Sequence, residues 1–325
     1  ALIGVLYAAI VIAQLVLPEG NAIRAATGGA VEPWLALGAV AAIVAGYRLI
    51  LARLHARATP APAAAQTAAA RPGFSEAELA RYARHIVLRE IGGAGQKRLK
   101  AARVLVVGAG GLGSPVCLYL AAAGVGTIGV IDDDLVEGSN LQRQVIHADD
   151  RIGMPKVASA MAGMTAVNPF IAVRPYKRRL TADIATDLVA DYDLVIDGCD
   201  NFETREAVNA ACTAAGVPLI AGAIAQWEGQ VSLFDPARGA PCRACVFPER
   251  PAPGLAPACA EAGVAAPLPG IVGSVMAMEA LKHITGAGTT LAGRLWLYDA
   301  LHAESRTIAV ARRPGCPVCG TRAAA

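Results

Sequence analysis

The sequence predicts an α/β protein: a doubly wound, mostly parallel Rossmann-like sheet with an antiparallel extension, preceded by an N-terminal apolar helical hairpin. Three observations carry that prediction. Apolar β-forming runs alternate with helical patterns from Arg103 onward. The first run opens into a glycine cluster, "VLVVGAGGLGSP" at 104–115. Apolar residues also crowd the first fifty positions of a 325-residue chain that is 55% hydrophobic and 17% charged, greasier than an ordinary soluble enzyme.

The hairpin rests on two stretches. "LIGVLYAAIVIAQLVL" (2–17) is apolar except for Gln14, and "WLALGAVAAIVAGYRLIL" (34–51) is apolar except for Arg48. A bilayer takes about 20 residues of helix, so both are slightly short for spans. Arg48, Arg53, His55 and Arg57 gather at the end of the second stretch, and the connecting segment is poor in positive charge. The positive-inside rule then keeps the chain beyond residue 51 in the cytoplasm, tethered to the inner membrane. A cleaved signal peptide would carry its basic cluster before the apolar run, not after it; a pair of buried core helices is the other alternative. The expected division is a hairpin over 1–54, an Ala/Pro-rich linker over 55–73, a catalytic domain over 74–320 and a tail over 321–325.

The domain begins at "SEAELARYARHIVLREIG". Ser75 and Glu78 form a capping-box pattern, and Leu79, Tyr82 and Ile86 fall on one helical stripe. Beyond it, "RVLVVGAG", "TIGVIDDD", "IAVRPYKR", "DLVIDGCD" and "VPLIAGAI" read as strands. Between them "GSPVCLYLAAAG", "PKVASAMAGMTAVN", "TADIATDLVAD" and "NFETREAVNAACTAAG" read as helices. "GQVSLFDP" and "GRLWLYDA" are later strands, expected to add antiparallel. Ligands of such sheets bind beyond the carboxyl ends of the strands, where the polar clusters of this chain fall.

Gly108, Gly110 and Gly113 fit G-x-G-x-x-G, and Asp132 ends the next strand where a ribose-binding acid belongs. To that point a nicotinamide oxidoreductase fits equally well. After Asp132, however, "IDDDLVEGSNLQRQ" brings Ser139, Asn140, Leu141, Gln142 and Arg143, and Lys156 comes next in "GMPK". Hydride transfer needs no such cations, whereas a triphosphate with a leaving pyrophosphate does. Asp200, in "VIDGCDN", ends a further strand and is suited to hold Mg²⁺ against phosphate oxygens. A membrane-held scaffold without catalysis would be expected to have lost this cluster. The formal net charge is +3 and there is no Lys/Arg tract with interleaved aromatics, so nucleic-acid binding has no electrostatic support.

Eight cysteines sort by position. Cys242/Cys245 and Cys316/Cys319 are two C-x-x-C knuckles about 70 residues apart, the pattern of a four-thiolate structural Zn²⁺, expected to lie away from the chemistry. Disulfides are the alternative, disfavoured in a cytosolic ATP-using domain. Cys117 and Cys212 lie in helical patterns and read as core, and Cys199 adjoins Asp200. Cys259 sits after the proline-rich "PERPAPGLAP" in an apparent loop.

The ordered set "RYARHIVL", "GAGGLGSP", "IDDDLVEGSNLQRQV", "GMPK", "DLVIDGCDN", "EGQVSLF", "CRAC", "AGVAAPLPGIVGS" and "CPVC", spanning residues 81–320, resembles the ubiquitin-activating-enzyme-like adenylyltransferases. Its likeness is nearest to the molybdopterin-synthase branch, with the thiamine-pathway branch next. The resemblance implies that ATP activates the C-terminal glycine carboxylate of a small ubiquitin-like sulfur carrier ending in Gly-Gly, giving an acyl-adenylate and pyrophosphate. Gly110, Gly111 and Asp132 would hold the nucleotide, and Ser139, Asn140, Leu141, Gln142, Arg143 and Lys156 would surround its phosphates. Asp200 would serve Mg²⁺, with Asn201 beside it. Arg84 would reach the active site of a second copy, implying a homodimer. Cys259 would form a thioester or persulfide in part of the family. The chain ends soon after the last knuckle, so a separate sulfur donor is expected.

Overall fold

The computed structural model describes residues 2–58, 73–250 and 263–320, and the chain divides into two compact units, Ala1–Thr67 and Ala68–Ala325. In the first unit α1 (Leu2–Val16), α2 (Ala22–Ala26) and α3 (Glu32–Ala58) form the expected helix–loop–helix. The Tyr7 hydroxyl donates to the Trp34 carbonyl, and the Trp34 indole N–H donates to Thr27 O at 2.9 Å. Gln14 Nε2 donates to Arg24 O at 2.9 Å and to the Thr27 hydroxyl at 2.6 Å. These bonds tie the connecting segment to both helices and satisfy its polar groups. Only α3, over Glu32–Ile50, is long and apolar enough among the described residues to cross a membrane. The first stretch gives a 15-residue helix, which stops where Pro18 begins a turn and Gly20 takes a positive φ.

In the second unit β1 (Arg103–Val107), β2 (Thr127–Ile131), β3 (Ala172–Tyr176), β4 (Leu194–Asp197) and β5 (Leu219–Ala225) are parallel. Then β6 (Glu228–Phe234), β7 (Arg294–Asp299) and β8 (Glu304–Ala309) add antiparallel, giving the order β3-β2-β1-β4-β5-β6-β7-β8. The switch in winding falls between β1 and β4, where a doubly wound sheet places its ligand. Strand β1 shows why its sequence is continuously apolar: Val104 and Val106 enter one core, Leu105 and Val107 the other. On the first face lie α5 (Gly92–Ala101), α6 (Gly113–Ala123), α7 (Lys156–Val167) and α11 (Leu268–Thr285); on the second lie α8 (Ala182–Ala190) and α9 (Phe202–Ala215).

The capping box forms on α4 (Glu76–Ile86): Ser75 Oγ accepts from Glu78 N at 3.3 Å, and Glu78 accepts from Ser75 N at 2.8 Å. The apolar stripe is only partly as expected. Tyr82 is buried but Leu79 is 47% exposed. Glu78 turns inward in its place, held by Lys100 Nζ at 2.7 Å.

Candidate active site

The glycine turn is built by two steric demands. Gly108 has φ +92°, a left-handed conformation that favours glycine. A side chain at Gly113 would overlap the Gly108 carbonyl oxygen, so only glycine lets α6 start against the turn. Between them Ala109 is fixed on both sides. Its N–H donates to Asp132 Oδ2 at 2.8 Å, and its carbonyl lies 2.9 Å from His147 Nε2. A carbonyl can only accept, so Nε2 carries the hydrogen, and Nδ1 accepts from the Ser159 hydroxyl at 2.9 Å. Burial pushes the His147 pKa down, keeping the ring neutral.

Asp132 closes β2 as the sequence predicts. Its second oxygen accepts from Asp134 N at 2.9 Å. Burial raises its pKa, and the two backbone N–H bonds and Lys156 oppose that rise. The chain then makes an excursion and returns: Lys156 N donates to Asp134 O, and Lys156 Nζ pairs with Asp134 Oδ2 at 2.7 Å. Lys156 is 5% exposed and stands in the first turn of α7. A buried cation at a helix N-terminus opposes the helix dipole, so Asp134 stabilises it there, and an anion bound at the same end would add to that. Arg143 is oriented by Asn140, whose side-chain oxygen accepts from Nη2 at 3.0 Å.

These groups open on a cavity of about 840 Å³, within the range of roughly 300–1,000 Å³ typical of ligand sites. Gly110, Gly111, Asp132, Arg143, Lys156, Asp200 and Asn201 line it. Ser139, Asn140, Leu141, Gln142 and Arg84 do not; Asn140 acts on it through Arg143, and Ser139 and Gln142 are exposed. Asn201 has a local task, capping α9 by accepting from Thr204 N at 2.8 Å. Asp200 is exposed to the cavity. The neighbouring trio differs: Asp132 accepts two backbone N–H groups, Asp133 pairs with Arg179 and Asp134 with Lys156. Asp200 shows no such pairing among the described residues, while the oxygens of the trio lie within 4.8 Å of one another, so both are candidates for a hard cation. Cys259 lies outside the described residues.

Several cavity residues escape the sequence reading. Gln144 closes the motif that pointed to the phosphates without having been singled out, and His147, which braces the turn without lining the cavity, is a lone loop histidine that carries no signal. Arg205 lines the wall from α9, donating to Gly222 O at 2.9 Å and to Cys199 O and pairing with buried Asp197 at 3.8 Å. From the far side the antiparallel strands contribute Gln230, Tyr298 and Arg306.

The four knuckle cysteines converge. Sγ–Sγ separations are 3.6 Å for Cys242–Cys316, 3.4 Å for Cys245–Cys319 and 3.9 Å for Cys242–Cys245. Tetrahedral thiolates with Zn–S near 2.3 Å stand about 3.8 Å apart, so the cluster fits zinc. It is less remote than expected. Arg243, between two of its cysteines and opening α10 (Arg243–Val246), lines the cavity. Cys117 and Cys212 are core residues as predicted.

Fold and cavity together define a nucleotide-binding enzyme of the doubly wound α/β class, equipped for a phosphate chain and carrying a thiolate knuckle. The chain belongs to the ThiF family, whose model matches residues 82–318. It is 50% identical over 251 residues to the sulfur carrier protein adenylyltransferase of Thermus thermophilus, covering 76% of this chain and 93% of that one. Against the molybdopterin-synthase adenylyltransferase of Escherichia coli it is 45% identical over 250 residues, covering 76% and 98%. In fold it is similar to the crystal structure of E. coli MccB with ATP, at a TM-score of 0.65 and 24% identity, covering 74% of this chain and 75% of that one.

Two outcomes are expected. Cys242→Ser should lose metal and thermal stability together, with a Tm drop of about 10 °C or more at about 2–4 °C per kcal/mol for a domain of this size; elemental analysis alongside calorimetry reads both. The second concerns Asp132. Because burial raises its pKa, the folded protein takes up a proton there before the unfolded chain does. This site therefore opposes folding at neutral pH, and the opposition fades as pH falls through the raised pKa. If a nucleotide donates to the ionised form, its affinity should begin to fall at a higher pH than an unshifted aspartate would give. Asp132→Asn should bind about tenfold or more weakly and flatten that acid limb, measured by calorimetric titration across pH.

Proposed function

We propose that this protein uses ATP to adenylate the C-terminal glycine carboxylate of a small ubiquitin-like sulfur carrier, the molybdopterin-synthase small subunit before the thiamine-pathway carrier. The single observation that carries the reading is the cavity. One wall is the glycine turn with Arg143 and Lys156, and the other is the antiparallel extension, leaving room for a nucleotide and an extended peptide tail together. Relatives named as sulfur carrier and molybdopterin-synthase adenylyltransferases support the choice of substrate.

The nucleotide's ribose hydroxyls would donate to Asp132, and its phosphates would lie toward Arg143 and Lys156. A carboxylate oxygen of the carrier attacks the α-phosphorus. The bond to the bridging oxygen breaks, and pyrophosphate leaves with that oxygen and its electron pair. No general base is needed, since the nucleophile is ionised near neutral pH. His147 agrees with that, being neutral and committed to the turn. Lys156 and Arg143 act where charge develops, on the leaving pyrophosphate. Mg²⁺, held by Asp200, would supply further neutralisation of the phosphates.

Two features support wider expectations. Arg84 is exposed and does not line its own cavity, as a residue serving a second copy in a homodimer would be. A separate donor would deliver sulfur to the adenylate, with Cys259 available as a covalent relay. In the first unit Leu35, Val40, Ile43 and Leu49 of α3 are each at least half exposed. With Leu37 and Val44, also more than half exposed, they spread over more than half of the helix circumference rather than one stripe, which suits a surrounding bilayer better than a protein groove. Basic residues after this span support a cytoplasmic side for the catalytic domain.

Lys156→Ala and Asp200→Ala should each lower carrier-dependent ATP–pyrophosphate exchange by on the order of a hundredfold or more, whereas Cys259→Ala should leave exchange nearly intact. The inverse pattern would overturn the assignment of roles. For the tether, the full chain should stay with membranes through alkaline carbonate extraction, while a fragment from residue 73 should remain in the soluble fraction. A full chain as soluble as the fragment would remove the anchor from the account.

A further inference from the structure

Near the carboxyl end of β4 two arginines, Arg205 and Arg243, line the cavity, with the carboxylate of Asp197 buried beside Arg205. Asp197 is fully buried; one of its oxygens accepts from Cys199 N at 3.0 Å, and the other makes no hydrogen bond. Arg205 answers it at 3.8 Å and is otherwise consumed by the carbonyls of Gly222 and Cys199. The backbone N–H of Arg243 is fixed by Asn209 Oδ1 at 2.8 Å, and its guanidinium lies over the Phe247 ring, 5.5 Å from the centroid. Among the described residues no acceptor or acid is within bonding distance of that guanidinium. Arg178 and Arg306 also line the cavity without a bonded acid, but both are exposed, whereas Arg243 is half-buried. Asp197 is thus answered by Arg205 alone, and the Arg243 guanidinium has no bonded acid among the described residues. A half-buried cation in a cavity wall is costly unless an anion completes it.

We propose that Arg243 is the centre of an oxyanion subsite of this cavity, distinct from the Arg143–Lys156 end, and that the thiolate knuckle holds it in place. Its ligand is a carboxylate or phosphate oxygen pair, which a guanidinium fork grips bidentately. The two sources are the triphosphate and the terminal or acidic carboxylates of a carrier tail; the assignment rests on reading the cavity as a nucleotide-and-tail site. Because Cys242 and Cys245 flank Arg243, metal in the knuckle would fix the backbone from which the guanidinium projects.

The test uses the full chain in detergent, with two probes titrated separately by calorimetry: ATP with Mg²⁺, and a synthetic peptide ending in Gly-Gly with a free carboxylate. Arg243→Met keeps the aliphatic stem and removes the charge, while Arg243→Lys keeps the charge. Arg243→Met should weaken one probe about tenfold or more, with Arg243→Lys closer to wild type and with zinc content and Tm unchanged in both. Loss confined to ATP assigns a phosphate, and loss confined to the peptide assigns a carboxylate. Wild-type affinity for both probes in Arg243→Met would overturn the subsite and leave the proposed function standing. So would loss of binding that travels with lost zinc, which marks a structural role. A wild-type chain that binds neither probe would overturn both.

Discussion

The close approach of Gly113 to the Gly108 carbonyl is the constraint on which the rest of this domain depends. It lets α6 begin immediately after the turn and run back against β1, burying Val116 and Leu120 in the same core as Val104 and Val106. From that junction the site is assembled by strand ends. β2 delivers Asp132 to the turn, α7 returns Lys156 to Asp134, and β4 brings Asp197 and Asp200 alongside. A methyl group at Gly113 would push α6 off the turn and disturb all of these at once.

Much of this was legible in the sequence, for reasons that differ by element. Strands β1, β2 and β4 are buried on both faces, so they read as unbroken apolar runs, whereas the edge strand β3 carries Arg174 and Pro175. The glycine turn reads because sterics leave no other residue at two of its positions. The knuckles read because thiolate spacing has few other uses. Helix α11 and strand β8 escaped for opposite reasons. The first is apolar nearly all round, and the second is exposed along its length and polar until Ile308, with no apolar alternation. Leu79 misled because a capping glutamate, once paired with Lys100, takes the buried position that the apolar stripe assigned to leucine.

Candidate site residues divide along the same line. Those that end strands lie in the cavity, since the fold itself carries them there. Those predicted from the loop after β2 scatter, because a loop's facing is set by its tertiary bonds and not by a period. Asn140 reaches the cavity only through Arg143. The residues that escaped detection, His147, Arg205 and Arg243, come from three distant segments and share no local pattern; the closed sheet brings Arg205 and Arg243 to the cavity and His147 to the glycine turn. The knuckle was expected to be remote for a similar reason: its spacing says what it binds and nothing about where its flanking arginine points.

The two bonds on Ala109 have a consequence for how a nucleotide would be received. With its N–H held by Asp132 and its carbonyl by a neutral imidazole, neither adjoining peptide plane can rotate without breaking a buried bond. The turn is therefore a finished mould in the unliganded protein. Little conformational entropy remains to be lost there on binding. The cradle is rigid; adaptation to different guests falls to the parts of the cavity that lie beyond it.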